Sequence, residues 1–185
     1  NEIQTIPTML FFKTTKLRTL LLDGNKIKTI HQDTFVRAIG LRDLILSGNL
    51  MTNFNYKVIS PLGNLIKLNM ENNHLTEISE DFFRNQNYLL ILNISCNMLV
   101  DLKPPVDTNL STKIIIQGNP LNCNCLNSLF RQQDLQFSFD WPQKGEHPSC
   151  IVGTSGFCDK NINEIGLSAW KRELGYYPGL CRSRL

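Results

Sequence analysis

Leu41-Arg42-Asp43-Leu44-Ile45-Leu46-Ser47-Gly48-Asn49-Leu50-Met51 is the stretch that decides the fold. Its form is L-x-x-L-x-L-x-x-N-x-φ, where φ is a large aliphatic residue. Working outward from it, the same marks return at a step of 24. Asparagine stands at positions 1, 25, 49, 73 and 97. Ile3, Ile27, Met51, Leu75 and Leu99 follow two residues after each Asn, and Ile6, Ile30, Phe54, Ile78 and Leu102 five after. Phe11, Phe35, Ile59 and Phe83 come ten after, and Leu17, Leu41, Leu65 and Leu89 open the next unit. A fixed period of this size predicts stacked units, because one 24-residue unit cannot bury its apolar side alone.

Within each unit Leu20 and Leu22, Leu44 and Leu46, Leu68 and Met70, and Leu92 and Ile94 alternate at the strand period of two, so they point inward from a short parallel strand. The Asn column has a different task. Where the strand turns away, backbone amides and carbonyls enter a crowded interior, and each one left without a partner costs roughly 1–3 kcal/mol. An Asn amide both donates and accepts, so a column of Asn satisfies these groups turn after turn. The Phe column fills the wider convex side. Ile59 interrupts it, which predicts a local irregularity over Asn53 to Gly63. The next Asn, Asn119, comes 22 residues after Asn97, with Lys103-Pro104-Pro105-Val106-Asp107 between them. Two prolines resist helix and donate nothing, so an extended or turn segment is expected there. Lys113 to Asn119 makes a last short strand with Ile114 and Ile116 inward.

This pattern resembles the leucine-rich repeat. The segment Asn119-Pro120-Leu121-Asn122-Cys123-Asn124-Cys125 further resembles the entry to the cysteine-rich C-terminal cap of extracellular animal leucine-rich repeat proteins. The expected architecture is an α/β solenoid: a curved stack with short parallel strands on its concave face, closed by a disulfide-bonded cap. Residues 1–118 form the repeats and residues 119–185 the cap. Leu126 to Leu135 has helical spacing. The family pattern implies two crossed disulfides, the first cysteine with the third and the second with the fourth. Cys123 and Cys125 take the first two places and Cys181 the last, while Cys150 and Cys158 both suit the third. One cysteine exceeds the pattern. A structural zinc site is the rival chemistry, but a single C-x-C with scattered partners matches such sites poorly. Disulfides require an oxidising compartment, so an extracellular location is expected, secreted or as a cell-surface ectodomain.

Six cysteines leave Cys96 and one of Cys150 or Cys158 outside a two-bridge cap. A leftover thiol points to a disulfide-linked homo- or heterodimer, or to attachment to another extracellular chain. Against this stand a third internal bridge and an inert small residue at Cys96, a position filled elsewhere by Gly24, Gly48, Asn72 and Gly118.

The chain has 185 residues, 42% of them apolar, and net charge +3. The repeats carry 12 basic and 10 acidic residues and the cap 7 and 6, so no charge block indicates nucleic acid or a membrane surface. The Arg182-Ser183-Arg184 tail is a solvated end. No apolar run approaches the roughly 20 residues of a membrane helix, so membrane attachment would come only through segments outside this chain. The chain starts in mid-unit, which predicts further repeats, an N-terminal cap and a signal peptide upstream, and leaves room for a membrane span downstream.

His31, His74 and His147 lie in no metal-ligating spacing, and no nucleophile or phosphate-binding motif occurs. The expectation is a non-enzymatic recognition module without cofactor or metal. Its ligand would meet the strand side chains that do not point inward. These are Arg18, Thr19, Leu21 and Asp23; Arg42, Asp43, Ile45 and Ser47; Lys67, Asn69, Glu71 and Asn72; Ile91, Asn93 and Ser95; and Lys113, Ile115 and Gln117. Leu21 and Ile45 are adjacent aliphatics that the period places in solvent, ringed by Arg18, Arg42, Asp23 and Asp43. They form either an apolar hot spot or ordinary surface apolar content. Asn93-Ile94-Ser95 and Asn109-Leu110-Ser111 are N-glycosylation acceptors. A sugar on Asn93 would block the C-terminal half of the face and push binding toward the first repeats or a flank.

The resemblance implies a recognition module for a protein or glycan ligand, of the kind found in Toll-like receptors and secreted leucine-rich immune proteins. The alternative is an adhesion or matrix-organising protein of the Slit, proteoglycan or synaptic type.

Overall fold

Leu44, Leu68, Leu92 and Ile114 occupy the same place in successive turns, and each is essentially fully buried. They lie at the centres of short strands whose flanking residues face out. The computed structural model describes residues 1–100, 102, 112–116, 118–121 and 136–138. Six parallel strands form one sheet in chain order: β1 Thr19–Leu21, β2 Asp43–Ile45, β3 Lys67–Asn69, β4 Ile91–Asn93, β5 Lys113–Ile115 and β6 Gln136–Ser138. Register advances by one unit per strand, so Leu20, Leu44, Leu68, Leu92 and Ile114 align across the sheet. Burying one such side chain stabilises by roughly 1.5–3 kcal/mol. Behind the sheet a single core runs the length of the stack and includes Leu46, Met70, Ile94 and Ile116.

Strand pairing alone does not carry the chain around each turn. That is the work of the Asn column. Asn49 Nδ2 donates to the carbonyl of Leu46 in its own turn at 2.9 Å and to that of Leu22 in the turn before at 3.0 Å. Its Oδ1 accepts the amide of Ile27 at 3.0 Å. Asn73 repeats this with Met70, Leu46 and Met51, and Asn97 with Ile94, Met70 and Leu75. The unit ending at Asn119 is two residues shorter. Yet Asn119 still donates to Ile116 and Ile94 and accepts from Leu99. The carbonyls of Leu22, Leu46, Met70 and Ile94 are thereby each held by two asparagines. All five Asn side chains from Asn25 to Asn119 are buried.

One residue before each of these asparagines the backbone turns left-handed: Gly24 at φ 61°, Gly48 at 64°, Asn72 at 54°, Cys96 at 53° and Gly118 at 70°. Glycine adopts this region without steric cost and Asn tolerates it. The position was expected only to require a small residue. The constraint is the dihedral.

Among the described residues the convex side is built from turns and two 3-10 helices, Tyr56–Val58 and Glu80–Phe83. Phe11 and Phe35 pack with ring centroids 5.4 Å apart. At the gap in the Phe column the chain is not irregular. Asn55 caps the first 3-10 helix by accepting the Lys57 amide, and Ile59 is fully buried. Phe54 packs on Phe82 at 6.1 Å and Phe82 on Phe83 at 5.2 Å. The first turn lies at the end of the described stack. There Ile3 and Leu10 are open, 41% and 57% exposed, where their equivalents in later turns are closed.

Strand β6 extends the sheet one step past the strand expected to be last, into the span assigned to the cap. The expected helix at 126–135, the proline segment 103–107 and the cap cysteines Cys123, Cys125, Cys150, Cys158 and Cys181 lie outside the described residues. Cys96 is described: it is buried and disulfide-bonded, which removes the reading of an inert free thiol.

Two substitutions test this packing. Asn73→Ala takes from the Met51 amide its buried acceptor and from the Leu46 and Met70 carbonyls one of their two donors each, and should cost about 2 kcal/mol in urea-induced unfolding. An effect near zero would mean that the ladder is dispensable. Thr34 is buried at the position held by Val58 and Phe82 in later turns, and its hydroxyl finds no hydrogen-bond partner among the described residues. Thr34→Val should therefore raise stability by about 1 kcal/mol, read as a higher Tm.

Candidate recognition surface

Side chains on either side of each inward leucine point away from the core, and the register sets them in two rows. One row is Thr19, Asp43, Lys67, Ile91 and Lys113; the other is Leu21, Ile45, Asn69, Asn93 and Ile115. Neighbouring members stand about 4.8 Å apart, the interstrand spacing. Leu21 and Ile45 are thus direct neighbours. Leu21 is 64% exposed and Ile45 half-buried. Asp23, Arg18 and Arg42 are exposed around them. Asp43 is half-buried, and its Oδ2 accepts the Thr19 hydroxyl at 3.1 Å.

Arg18 differs from its expected role. Its Nη1 donates to the Gly40 carbonyl at 2.8 Å, tying the side chain to the next turn. Gly40 is what lets it in: a Cβ there would stand 2.2 Å from that nitrogen and 2.5 Å from the Thr15 carbonyl oxygen. Arg18 keeps its charge at the surface but is a clamp between turns as well as a candidate contact.

The third turn is a polar network. Asn69 Oδ1 accepts the Glu71 amide at 2.9 Å, and Glu71 Oε2 accepts from Asn93 Nδ2 at 3.1 Å. Asn93 Oδ1 accepts both the amide and the hydroxyl of Ser95, at 3.1 and 2.7 Å. Asn69 and Asn93 therefore share one local task, closing the bend after their strands. Ser95, expected on the surface, is buried, because its hydroxyl folds back onto Asn93. Asn72 was expected to face a ligand and instead makes the left-handed bend. Lys67, Ile91 and Ile115 are half-buried and Lys113 exposed, on the face as expected. Gln117 and Asn109 lie outside the described residues.

Two exposed apolar residues were missed. Tyr88 is 64% exposed and Leu90 53%, beside the half-buried Ile91. Their signal was available. Leu90 falls between the framework positions Leu89 and Leu92 and Tyr88 just before them, and the equivalents of Leu90 in the first two turns are Arg18 and Arg42.

Residues 15–75 match the family profile described as leucine rich repeat. The structure is similar to the leucine-rich repeat domain of APL1B, at TM-score 0.58 and 25% sequence identity. That similarity covers 65% of this chain and 37% of that one. The fold is a leucine-rich repeat solenoid. It is also similar to a chain of the TLR13–ssRNA13 complex, at TM-score 0.60 and 26% identity over 74% of this chain and 20% of that one. A chain of the LRIM1/APL1C complex gives TM-score 0.58 and 26% identity over 65% of this chain and 22% of that one. This chain therefore spans well under half of each of these solved chains. No curated protein matches the sequence. Among the described residues, no helix of the leucine-rich repeat stack is long and apolar enough to cross a membrane.

Proposed function

We propose that this chain is an extracellular ligand-recognition module, part of a receptor ectodomain or of a secreted innate-immune recognition protein, and that it binds a protein ligand on the outer face of its sheet. The observation that carries this reading is the pair Leu21 and Ile45, adjacent in register, the first exposed and the second half-buried, with Asp23, Arg42, Asp43 and the Arg18 clamp around them. An apolar centre that loses water within a charged rim is how interfaces concentrate their binding energy. The sheet beneath holds these side chains in place before a ligand arrives, which lowers the ordering cost of association.

Similarity to chains from the LRIM1/APL1C and TLR13–ssRNA13 complexes supports a recognition role. The mixed charge favours protein over RNA, since Asp23, Asp43 and Glu71 share the face with Arg18, Arg42 and Lys67, and carboxylates repel a phosphate backbone. A glycan ligand suits the polar third turn better than the Leu21–Ile45 pair. The adhesion reading rests on a likeness to a chain of the octameric complex of Latrophilin 3, Unc5D and FLRT2, which at 24% identity speaks for the fold alone.

The rest of the proposal follows from secretion: a cap over residues 119–185 with disulfides among Cys123, Cys125, Cys150, Cys158 and Cys181, and N-glycans on Asn93 and Asn109. A glycan on Asn93 leaves one amide hydrogen on Nδ2, enough to keep the bond to Glu71, and confines the ligand to the first three turns.

The test is a screen of the secreted protein against arrayed extracellular domains, glycans and single-stranded RNA, beside the double variant Leu21→Asp, Ile45→Asp. The proposal expects ectodomain hits that weaken at least 100-fold in the variant while its Tm is unchanged. Hits confined to RNA, or ectodomain hits that the variant retains, would refute it.

A further inference from the structure

Cys96 is out of place by the logic of its column. At φ 53° it takes the left-handed backbone that Gly24, Gly48 and Gly118 take without cost and that Asn72 tolerates. A cysteine Cβ is strained in this region, and cysteine lacks the local hydrogen bonding that lets Asn visit it. The residue is buried, 8% exposed, in the fourth turn of the stack, and it is disulfide-bonded. A covalent partner supplies a reason for cysteine where packing and backbone supply none. The other five cysteines all follow it, the nearest 27 residues and the farthest 85 residues along the chain.

We infer that the Cys96 bond staples the fourth turn of the stack to the cysteine-rich C-terminal segment, so that all six cysteines pair within one chain as three disulfides. Parity supports this. One of the five later cysteines goes to Cys96, and four remain, the number that a two-bridge cap uses. None of these six thiols is then left to link a second chain. Formation of the staple oxidises two thiols; the two electrons and two protons reduce an incoming disulfide of the secretory compartment to a dithiol. The long loop it closes makes the staple a strong restraint on the unfolded chain. It enters the stack one residue from Ser95, beside the Asn93–Glu71 network. The inference does not depend on what that face binds.

The test uses the protein secreted by a eukaryotic host, denatured and alkylated without reduction, then mapped by peptide mass. The expected result is a monomer with no alkylated cysteine and with the Cys96 peptide joined to one that contains a later cysteine. Cys96→Gly suits the backbone, so it removes the bond without adding strain. It should leave one newly reactive cysteine, which names the partner, and lower Tm by roughly 5–15 °C. If that variant is not secreted, the wild-type map decides alone. An alkylated Cys96 in the wild type, or a dimer that separates on reduction with Cys96 in the linking peptide, would overturn the inference.

Discussion

The bond from an asparagine amide to the carbonyl that ends a strand is the interaction on which the rest of this molecule depends. A strand three residues long offers little pairing of its own. After it, the chain must turn into the core with its polar backbone exposed to leucine and isoleucine. Each Asn answers with two donors and an acceptor, and it spans two turns in doing so. Asp would place a charge against two carbonyl oxygens, and Ser lacks the reach. The ladder therefore fixes both the bend and the stacking distance, and the leucines pack at the separation it sets.

The recognition surface is what that arrangement leaves over. Once Leu44 and Leu46 face inward, Asp43 and Ile45 must face out, and the register places Leu21 beside Ile45. Framework positions are bound by the core, while the outer positions are free to vary without loss of fold. The surface thus combines a rigid base with side chains that no packing constraint selects. That combination suits recognition, and the chemistry of any one ligand rests on those few free positions.

The columns that the core enforces were legible in the sequence: the ladder from Asn25 to Asn97 and the inward leucines stand where the period puts them, and the strand Lys113–Ile115 was read from its own alternation before Asn119. Periodicity is a statement about burial, and burial is what those residues share. Legibility ended where a residue serves a local bend or a cross-turn clamp. Ser95 sits at an outward position by count, yet its hydroxyl closes back on Asn93 and it is buried. Arg18 counts as surface, but Gly40 in the next turn receives it. Asn72 and Cys96 looked like small-residue positions because the dihedral they serve leaves no hydrophobic trace. Ile59 looked like a defect, yet it is fully buried and closes the 3-10 helix Tyr56–Val58. Strand β6 follows a stretch without the repeat's marks, so no spacing announced it.

The most direct test of the ladder is native-state hydrogen exchange at the amides of Ile27, Met51, Leu75 and Leu99, whose acceptors are asparagine side chains of the following turn. If the ladder holds the stack together, these amides open only with the stack and exchange as slowly as the strand amides of Leu46 and Met70. Exchange at the rate of the exposed convex-side amides, with the strands still protected, would show that the turns stack without the asparagines and would contradict the account.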